Sequence, residues 1–282
     1  MRVIVAGAAG ICFGVRDAIE AAERVADPRE VTILGDLVHN PAVTARLEAL
    51  GFSSAPSGTP VALLPSETVL ITAHGLSDRA RFRFEAAGKR IHDTTCPLVR
   101  RAHEAALRLE SEGFHVIVIG KRGHAEVEGI VGDLERFHVV EQEEDVETYP
   151  SLRLGVVCQT TTTTSDAERL LEVIARRNPG AEVRHVDTIC QPTKDRQQAL
   201  EQLLGEVDAV VVVGGSRSNN TRKLVERCAA RGVPAFHVEG KADLRPEWFR
   251  GCQAVGLTAG TSTLQETIED VHREICRLEP PS

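Results

Sequence analysis

The sequence predicts an α/β fold of three similar units, each a small, mainly parallel four-stranded sheet with flanking helices, related by a pseudo-threefold axis. Two observations favour it. Apolar strands alternate with helical segments along all 282 residues, and several motifs recur at separations near one third of that length. Near-continuous Val and Ile runs are typical of parallel strands that are covered on both faces. Ligands gather at the carboxyl ends of such strands, so we expect the functional residues in the loops that follow them.

The repeat is clearest around two cysteine-containing loops. Asp93–Cys96 reads DTTC and Asp187–Cys190 reads DTIC, a shift of 94 residues that also places Val116–Gly120 on Val210–Gly214. A shift of 85 residues places Val31–Gly35 on Val116–Gly120, so a third copy precedes the other two.

The elements of the three copies follow in order along the chain. The predicted strands are Arg2–Ala6, Val31–Gly35, Val69–His74, Arg90–Thr94, Val116–Gly120, Phe137–Glu141, Leu154–Thr160, Val183–Thr188, Val210–Gly214, Ala235–Glu239 and Ala254–Ser262. The predicted helices include Arg16–Arg24, Ser77–Lys89, Ser165–Asn178 and Thr263–Leu278, with Ser77, Ser165 and either Ser262 or Thr263 as N-caps. The N-terminal strand supplies the strand that the last copy lacks. The chain therefore divides into units at 13–95, 96–189 and 190–282, the last completed by residues 1–12.

Composition excludes several classes of protein. The 33 Lys and Arg against 41 Asp and Glu give a net charge of −8, which disfavours a nucleic-acid partner. The 42% of apolar residues excludes a disordered chain, and the longest aliphatic run, near Ala209–Val213, is too short to span a membrane. Seven cysteines, an odd number, favour unbridged thiols in the reducing cytoplasm.

Three of the cysteines stand apart from the other four. Cys158, Cys228, Cys252 and Cys276 lie in or beside apolar elements and are interpreted as small buried hydrophobes. Cys12, Cys96 and Cys190 each follow a strand and precede a helix, so they could hold an iron–sulfur cluster, a zinc ion, or nothing. The recurrence of one position in three copies favours the metal. Three thiolates on a four-iron cluster would leave one iron open to a substrate oxygen.

Hydrogen-bond donors fill the other loops at the carboxyl ends of the strands. They include His39 and Asn40, His74, His124, Gln159 to Thr161, Ser218 to Thr221, and Thr261 with Ser262. Such donors at helix starts suit an oxyanion with many acceptor atoms, such as a diphosphate. Glu126 is the one carboxylate among them; partial burial would raise its pKa and make it a proton donor, whereas Glu128 belongs to a solvated helix face.

Taken together, these motifs resemble the 4-hydroxy-3-methylbut-2-enyl diphosphate reductase (LytB) family from end to end. The resemblance rests on GICFGV at 10–15, VHN at 38–40, AHG at 73–75, DTTCPLV at 93–99, GHAEVEG at 123–129, QTT at 159–161, DTIC at 187–190 with Arg196 and Gln197, SNNT at 218–221 and TAGTS at 258–262. It implies a trefoil of three α/β units around a [4Fe–4S] cluster that is bound by Cys12, Cys96 and Cys190 and keeps one open iron.

The resemblance also implies the reaction, which is the two-electron reductive removal of an allylic hydroxyl to give isopentenyl and dimethylallyl diphosphates in the last step of the non-mevalonate isoprenoid pathway. Glu126, Thr160 and His124 would be catalytic, and the implied electron donor is a ferredoxin or flavodoxin. The side chains implied to bind the diphosphate are His39, His74, His124, Ser218, Asn219, Asn220 and Ser262.

The sequence departs from the family pattern at three positions. Phe13 stands where a small residue is usual, Asn219 where many relatives have serine, and Leu264 in place of a common proline. Phe13 motivates one alternative, a paralogue with the same cluster acting on another allylic diphosphate. A second alternative, a non-catalytic cluster-based redox sensor, would have no need of Glu126 and Thr160. A dinucleotide-binding oxidoreductase is discounted because no G-x-G-x-x-G opens a helix.

Overall fold

A computed structural model describes residues 1–278 and contains three four-stranded sheets in which each pair of neighbouring strands is parallel. The strands are β1 (Arg2–Val5), β2 (Val31–Leu34), β3 (Ser53–Ala55), β4 (Thr68–Ile71), β5 (Arg90–Asp93), β6 (His115–Ile119), β7 (Phe137–Val140), β8 (Arg153–Cys158), β9 (Glu182–His185), β10 (Ala209–Val213), β11 (Ala235–Val238) and β12 (Ala254–Ala259). The α-helices of the described residues are α1 (Phe13–Glu23), α2 (Pro41–Leu50), α3 (Asp78–Ala86), α4 (Pro97–Ser111), α5 (Ala125–Val131), α6 (Thr164–Arg177), α7 (Gln191–Leu204), α8 (Asn219–Ala230) and α9 (Gln265–Arg277). The predicted α/β class, with three parallel four-stranded sheets and flanking helices, is confirmed.

The three sheets share one strand order. It is β3-β2-β4-β5 in the first sheet, β7-β6-β8-β9 in the second and β11-β10-β12-β1 in the third. The edge strands β5, β9 and β1 each lead to one of the three singled-out cysteines. The N-terminal strand pairs with β12, with Arg2 opposite Ala254, so it completes the last sheet as the repeat predicts.

The described chain forms two compact units. The first, here called the terminal unit, comprises Met1–Val15, His39–Pro41 and the described part of Gln191–Ser282, and it contains the third sheet. The second, here called the central unit, comprises Arg16–Val38 and Ala42–Cys190 and contains the other two sheets. The division into three units at 13–95, 96–189 and 190–282 with 1–12 stays a prediction, and residues 279–282 lie outside the described part.

Alternation of side chains along the strands explains why each sheet is covered on both faces. In β6, Ile117 and Ile119 pack in one apolar cluster with residues of α6, whereas Val116 and Val118 pack in another with residues of α4. Successive residues of a strand point to opposite faces, so a continuous apolar run feeds two cores. β10 does the same in the terminal unit, where its valines divide between two clusters.

Two of the predicted helix caps are wrong. The Ser77 hydroxyl caps α3 as expected, accepting from the Ala80 N–H at 3.2 Å. The cap of α6 is Thr163, whose hydroxyl accepts from the Asp166 N–H at 3.0 Å, and not Ser165. The sequence offers a run of hydroxyl residues at this point, and the loop geometry selects an earlier member.

The start of α9 also differs from the prediction. Leu264 occupies the N-cap position and makes no side-chain capping bond. The two residues predicted as caps are engaged elsewhere: the Ser262 hydroxyl donates to the His39 carbonyl at 3.2 Å, and the Thr263 hydroxyl donates to the Val213 carbonyl at 3.0 Å. Tertiary hydrogen bonds therefore take both hydroxyls away from the helix.

The four other cysteines are not all alike. Cys158 and Cys228 are fully buried and Cys252 is partly buried, in accord with the prediction. Cys276 is exposed, so its interpretation as a buried hydrophobe is wrong. It lies on the outer face of α9, where its sulfur is 3.9 Å from the imidazole of His272 one turn earlier.

No helix among residues 1–278 combines the length and the apolar composition needed to cross a membrane.

Candidate active site

The three singled-out cysteines occupy the same backbone setting. In each case the cysteine N–H donates to a carbonyl two residues beyond the end of the neighbouring strand. The bonds run from Cys12 to Thr261 at 3.0 Å, from Cys96 to Ala73 at 3.1 Å and from Cys190 to Thr160 at 3.0 Å. The equivalence that the sequence repeat predicts is therefore confirmed for the backbone.

Side chains hold two of these three loops in the same way. The hydroxyls of Thr94 and Thr188 each donate at 2.6 Å to the last carbonyl of the neighbouring strand. One residue earlier, the Asp93 carboxylate accepts from the Thr95 N–H at 2.9 Å, and the Asp187 carboxylate accepts from the Ile189 N–H at 3.2 Å. Arg81 and Arg100 also donate to Asp93, and the hydrogen bonds it accepts hold its pKa well below the usual range despite burial.

The donor chemistry of these loops fits an iron–sulfur cluster. Cys12, Cys96 and Cys190 are each partly exposed, and within the described residues no cysteine is in a disulfide. Helices α1, α4 and α7 begin directly after the three cysteines, so first-turn N–H groups and the positive end of each helix dipole favour an anionic group there. Thiolates in such settings are the ligands that clusters use.

Glu126 lies in the first turn of α5 and is 2% exposed. Its carboxylate accepts from the Thr160 N–H at 2.6 Å and from the Thr160 hydroxyl at 3.1 Å. Burial raises the pKa of Glu126 to about 7, although the two hydrogen bonds from Thr160 act in the opposite direction. The carboxyl can therefore both hold and release a proton near neutral pH, as a proton donor must.

His124 caps the helix that carries Glu126. Its Nδ1 accepts from the Glu126 N–H at 3.1 Å, so the neutral imidazole carries its hydrogen on Nε2 and can donate it to an oxyanion. The ring meets that of His74 edge to face, with centroids 5.3 Å apart, and His74 Nδ1 is 3.4 Å from the Thr72 hydroxyl. His74, His124, Glu126 and Thr160 form one group in the central unit, here called the histidine–glutamate group.

A second group of predicted site residues lies in the terminal unit. It comprises His39, Ser218, Asn219, Asn220 and Ser262 and is here called the serine–asparagine group. The Ser218 hydroxyl caps α8 by accepting from the Thr221 N–H at 3.3 Å, which leaves its own hydrogen available for a ligand. Asn220 is 2% exposed, and its Nδ2 has no hydrogen-bond partner among the described residues. A buried amide left in this way fits a site whose ligand accepts from it.

Three hydrogen bonds and one close backbone approach order the rest of the serine–asparagine group. Asn40 Nδ2 donates to the Ser262 carbonyl at 2.6 Å, and the Ser262 hydroxyl donates to the His39 carbonyl. A β-carbon at Gly215 would lie 2.5 Å from that same carbonyl, so only glycine allows the close approach. Asn219, the position that departs from the family pattern, accepts from Arg222 at 3.0 Å within α8.

One histidine near the site is not predicted as a site residue from the sequence. His103 lies in α4, and its ring packs closely against Gly75 and Gly129. A β-carbon added at Gly75 would be 3.5 Å from this ring, and one added at Gly129 would be 2.8 Å from it. Burial is the main reason why its pKa is lowered, so the ring is neutral at pH 7. Gly129, a glycine inside the short helix α5, is the sequence signal that could have indicated a side chain packed closely against this helix.

The buried carboxyl of Glu126 makes stability depend on pH. The folded chain raises the pKa of Glu126 from 4.5 to about 7. The contribution of this carboxyl to the free energy of unfolding is therefore fully present below about pH 4 and is lost as pH rises through 7. In denaturant unfolding of the metal-free chain, the free energy of unfolding of wild type should fall by about 3 kcal/mol relative to that of Glu126→Gln between about pH 4 and about pH 8. Glu128→Gln, at an exposed position, is the control and should follow wild type. If the free energies of unfolding of wild type and Glu126→Gln differ by the same amount at every pH, the raised pKa of Glu126 is contradicted.

Comparisons with known proteins cover nearly the whole chain. The family model described as LytB protein matches residues 3–276. The 4-hydroxy-3-methylbut-2-enyl diphosphate reductase of Anaeromyxobacter sp. (strain Fw109-5) is 39% identical over 274 residues, covering 96% of this chain and 95% of the relative. The protein of the same name from Aquifex aeolicus (strain VF5) is 35% identical over 285 residues, covering 97% and 96%.

Solved structures are also similar to this chain. The E-1-hydroxy-2-methyl-but-2-enyl-4-diphosphate reductase from Plasmodium falciparum superposes with a TM-score of 0.91 at 27% identity, covering 99% of this chain and 89% of that one. A second structure, of an (E)-4-hydroxy-3-methyl-but-2-enyl diphosphate reductase described as the terminal enzyme of the non-mevalonate pathway, gives a TM-score of 0.67 at 35% identity, covering 98% and 100%.

Proposed function

This chain belongs to the LytB family, and from that premise we propose that it converts (E)-4-hydroxy-3-methylbut-2-enyl diphosphate to isopentenyl and dimethylallyl diphosphates. The reaction consumes two electrons and two protons: the allylic C–O bond breaks, a C–H bond forms and water leaves. The observation that carries the proposal is the buried pair of Glu126 and Thr160, with a carboxyl pKa of about 7. A site that must deliver protons away from bulk water needs such a group.

Enzymes of the LytB family use an iron–sulfur cluster. For this chain we propose a [4Fe–4S] cluster held by Cys12, Cys96 and Cys190, with one iron that has no protein thiolate. When bound, the cluster would supply electrons one at a time and a Lewis acid for the hydroxyl oxygen. The equivalent N–H bonds of the three cysteines support this ligand set, because they give three thiols the same backbone support.

Glu126 is the proposed proton donor, and Thr160 is its partner. In the protonated state the carboxyl can give its proton to the departing hydroxyl. After that transfer, the N–H and hydroxyl of Thr160 stabilise the carboxylate that remains, at the 2.6 and 3.1 Å distances already present. The N-cap bond from Glu126 to His124 fixes the orientation of this turn and keeps a hydrogen on His124 Nε2.

The diphosphate is proposed to bind the donors of both groups. Their members with this role are His39, His74, His124, Ser218, Asn219, Asn220 and Ser262. The support comes from two donors that the fold leaves available, the hydroxyl hydrogen of Ser218 and the Nδ2 of Asn220, and from the imidazole of His124 at the N-cap of α5. Diphosphate oxygens accept several such bonds at once, which suits these side chains better than it suits an apolar or cationic ligand.

The proposed partner is a small one-electron donor, a ferredoxin or a flavodoxin, because the two electrons must arrive singly at a cluster.

The cytoplasm is the proposed compartment, where seven cysteines without a disulfide would stay reduced.

Anaerobic reconstitution and turnover test the proposed function. The chain is loaded with iron and sulfide, supplied with a chemical one-electron reductant and the hydroxylated diphosphate, and the products are identified. We expect both five-carbon diphosphates without the hydroxyl. Cluster binding without conversion of the diphosphate would contradict the proposed function and favour the redox-sensor alternative, and conversion of only another allylic diphosphate would favour the paralogue.

His124→Phe should weaken diphosphate binding without loss of the cluster. The change removes the Nε2–H donor, and a charge-assisted hydrogen bond of about 1.5–3 kcal/mol corresponds to roughly a ten- to hundredfold higher inhibition constant for inorganic diphosphate. His124→Asn is the companion variant, since its side-chain oxygen can still cap α5. His272→Phe, in α9, serves as the control and should bind diphosphate normally. Normal inhibition of both His124 variants would exclude His124 from the diphosphate site.

A further inference from the structure

A buried arginine contacts the loop that leads to the first cysteine. Arg196 lies in α7 and is 6% exposed. Its guanidinium donates to the Pro192 carbonyl at 2.8 Å and to the carbonyl of Gly10, both within the terminal unit. Gly10 stands two residues before Cys12, so this side chain acts directly on the segment that carries a proposed cluster ligand.

The threefold repeat shows that packing alone does not require an arginine at this position. Six residues after each of the three cysteines, the following helix buries Ala18, Ala102 or Arg196, which are 2%, 0% and 6% exposed. In two copies a methyl group is therefore sufficient. Burying a guanidinium in the third copy costs desolvation free energy that a methyl group does not.

The loops before the cysteines also differ among the three copies, and the loop that differs is the one that Arg196 contacts. The second and third loops have Asp93 and Asp187 three residues before the cysteine, and each carboxylate accepts the N–H of the residue just before that cysteine. The first loop has Ala9 at this position, which cannot accept such a bond. The loop that lacks the aspartate is thus the loop that receives the arginine.

The first loop also lacks the threonine hydroxyl that fastens each of the other two loops to the neighbouring strand. Thr94 and Thr188 fasten their loops through hydroxyl bonds of 2.6 Å, whereas the corresponding residue is Gly10. The Gly10 N–H bond to the Ala259 carbonyl is 3.4 Å, longer than the 3.0 Å bond of Thr94 to Ile71. Glycine is required there, because φ is +79° and a β-carbon would lie 2.6 Å from Ile268.

We propose that Arg196 is a positioning residue that takes the place of the missing aspartate and threonine contacts and holds the Gly10–Cys12 segment in the conformation that presents the Cys12 thiol. The proposal rests on the proposed function only in making Cys12 a cluster ligand. The contact itself belongs to the chain without any cluster.

Amide hydrogen exchange in the full-length, metal-free chain tests the contact. The N–H of Cys12, bonded to Thr261, reports on the first loop, and the N–H groups of Cys96 and Cys190 report on the other two. Arg196→Ala, which installs the residue of the other copies, should accelerate exchange at Cys12 roughly ten- to a hundredfold and leave the other two amides unchanged. Arg196→Lys should restore part of the protection, and the exposed Gln198→Ala is the control.

Two outcomes of the exchange experiment would overturn the proposal. One is unchanged exchange at Cys12 in Arg196→Ala. The other is equal acceleration at all three cysteine amides, which would make Arg196 a general stability residue and not a local support of one loop.

Iron release from the reconstituted chain extends the test to the cluster. We expect Arg196→Ala to lose iron to a chelator roughly tenfold faster than wild type, with Arg196→Lys between them. If wild type itself takes up no cluster, the proposed function fails, while the exchange experiment still decides the role of Arg196. If both variants hold iron as long as wild type, Arg196 does not position Cys12 for the cluster.

Discussion

Glu126→Gln is expected to lower turnover by roughly 10²- to 10⁴-fold while the chain still binds the cluster and the diphosphate. Glutamine keeps the size of the side chain, and its carbonyl oxygen can still accept the Thr160 N–H that Glu126 accepts at 2.6 Å. The Thr160 hydroxyl can rotate and accept from the new amide instead of donating to a carboxylate. The variant therefore retains the fold of this turn and loses only the proton.

The matched control for this variant lies two residues along the same helix. Glu128 is exposed, so Glu128→Gln should turn over like wild type. Single-turnover kinetics with reduced protein separates chemistry from binding, and an unchanged dissociation constant for inorganic diphosphate verifies that the Glu126 variant is intact. Normal turnover of Glu126→Gln, or a large defect in Glu128→Gln, would show that protons reach the substrate by another route.

Replacing Cys96 with serine is expected to abolish turnover, because a cluster with two of its three thiolates is lost or incomplete. Iron and sulfide analysis after anaerobic reconstitution should show a large loss of iron, and the same result is expected for Cys12→Ser and Cys190→Ser. Serine keeps the shape of the side chain, and the backbone N–H bonds that hold these loops do not involve the sulfur.

Two of the remaining cysteines provide the controls. Cys228 is fully buried, and burial raises the pKa of its thiol to about 11, so it stays protonated and is a poor ligand. Cys276 is exposed on α9. Cys228→Ala and Cys276→Ser should bind iron like wild type. Full retention of iron in Cys96→Ser, or its loss in Cys228→Ala, would refute the proposed ligand set.

The sheets could be predicted closely because their signal is local. The runs at Val116–Gly120 and Val210–Gly214 are almost purely β-branched, and both become fully buried strands, β6 and β10. The same residues at matching intervals also identify the repeat. β3 (Ser53–Ala55) has no such run: it is short and polar, and its place beside β2 depends on pairing that the sequence does not encode locally.

Helix starts were less predictable because hydroxyl residues have alternative partners. Ser262 and Thr263 look like caps in the sequence, but each donates to a carbonyl that is distant along the chain. The prediction that Cys276 is buried is wrong for a related reason. A helical period shows which residues share a face, but which face meets the core at the end of α9 is settled by tertiary packing.

The site shows the same division between local and tertiary information. The chemistry of Glu126 follows from its residue type and its neighbours in sequence, whereas its bonds to Thr160 join residues that are far apart in the chain. Arg196 is part of a motif in the sequence that assigns it no role. Its contact with Gly10 joins residues 186 positions apart in the chain, so no local pattern indicates it.

The electron count per product tests the central claim most directly. With a limiting, titrated amount of one-electron reductant under anaerobic conditions, the reconstituted chain should consume two reducing equivalents for each molecule of hydroxylated diphosphate converted. The products should be isopentenyl and dimethylallyl diphosphates, with water as the other product. Conversion of the diphosphate without consumption of electrons, as in a simple dehydration, would contradict the account.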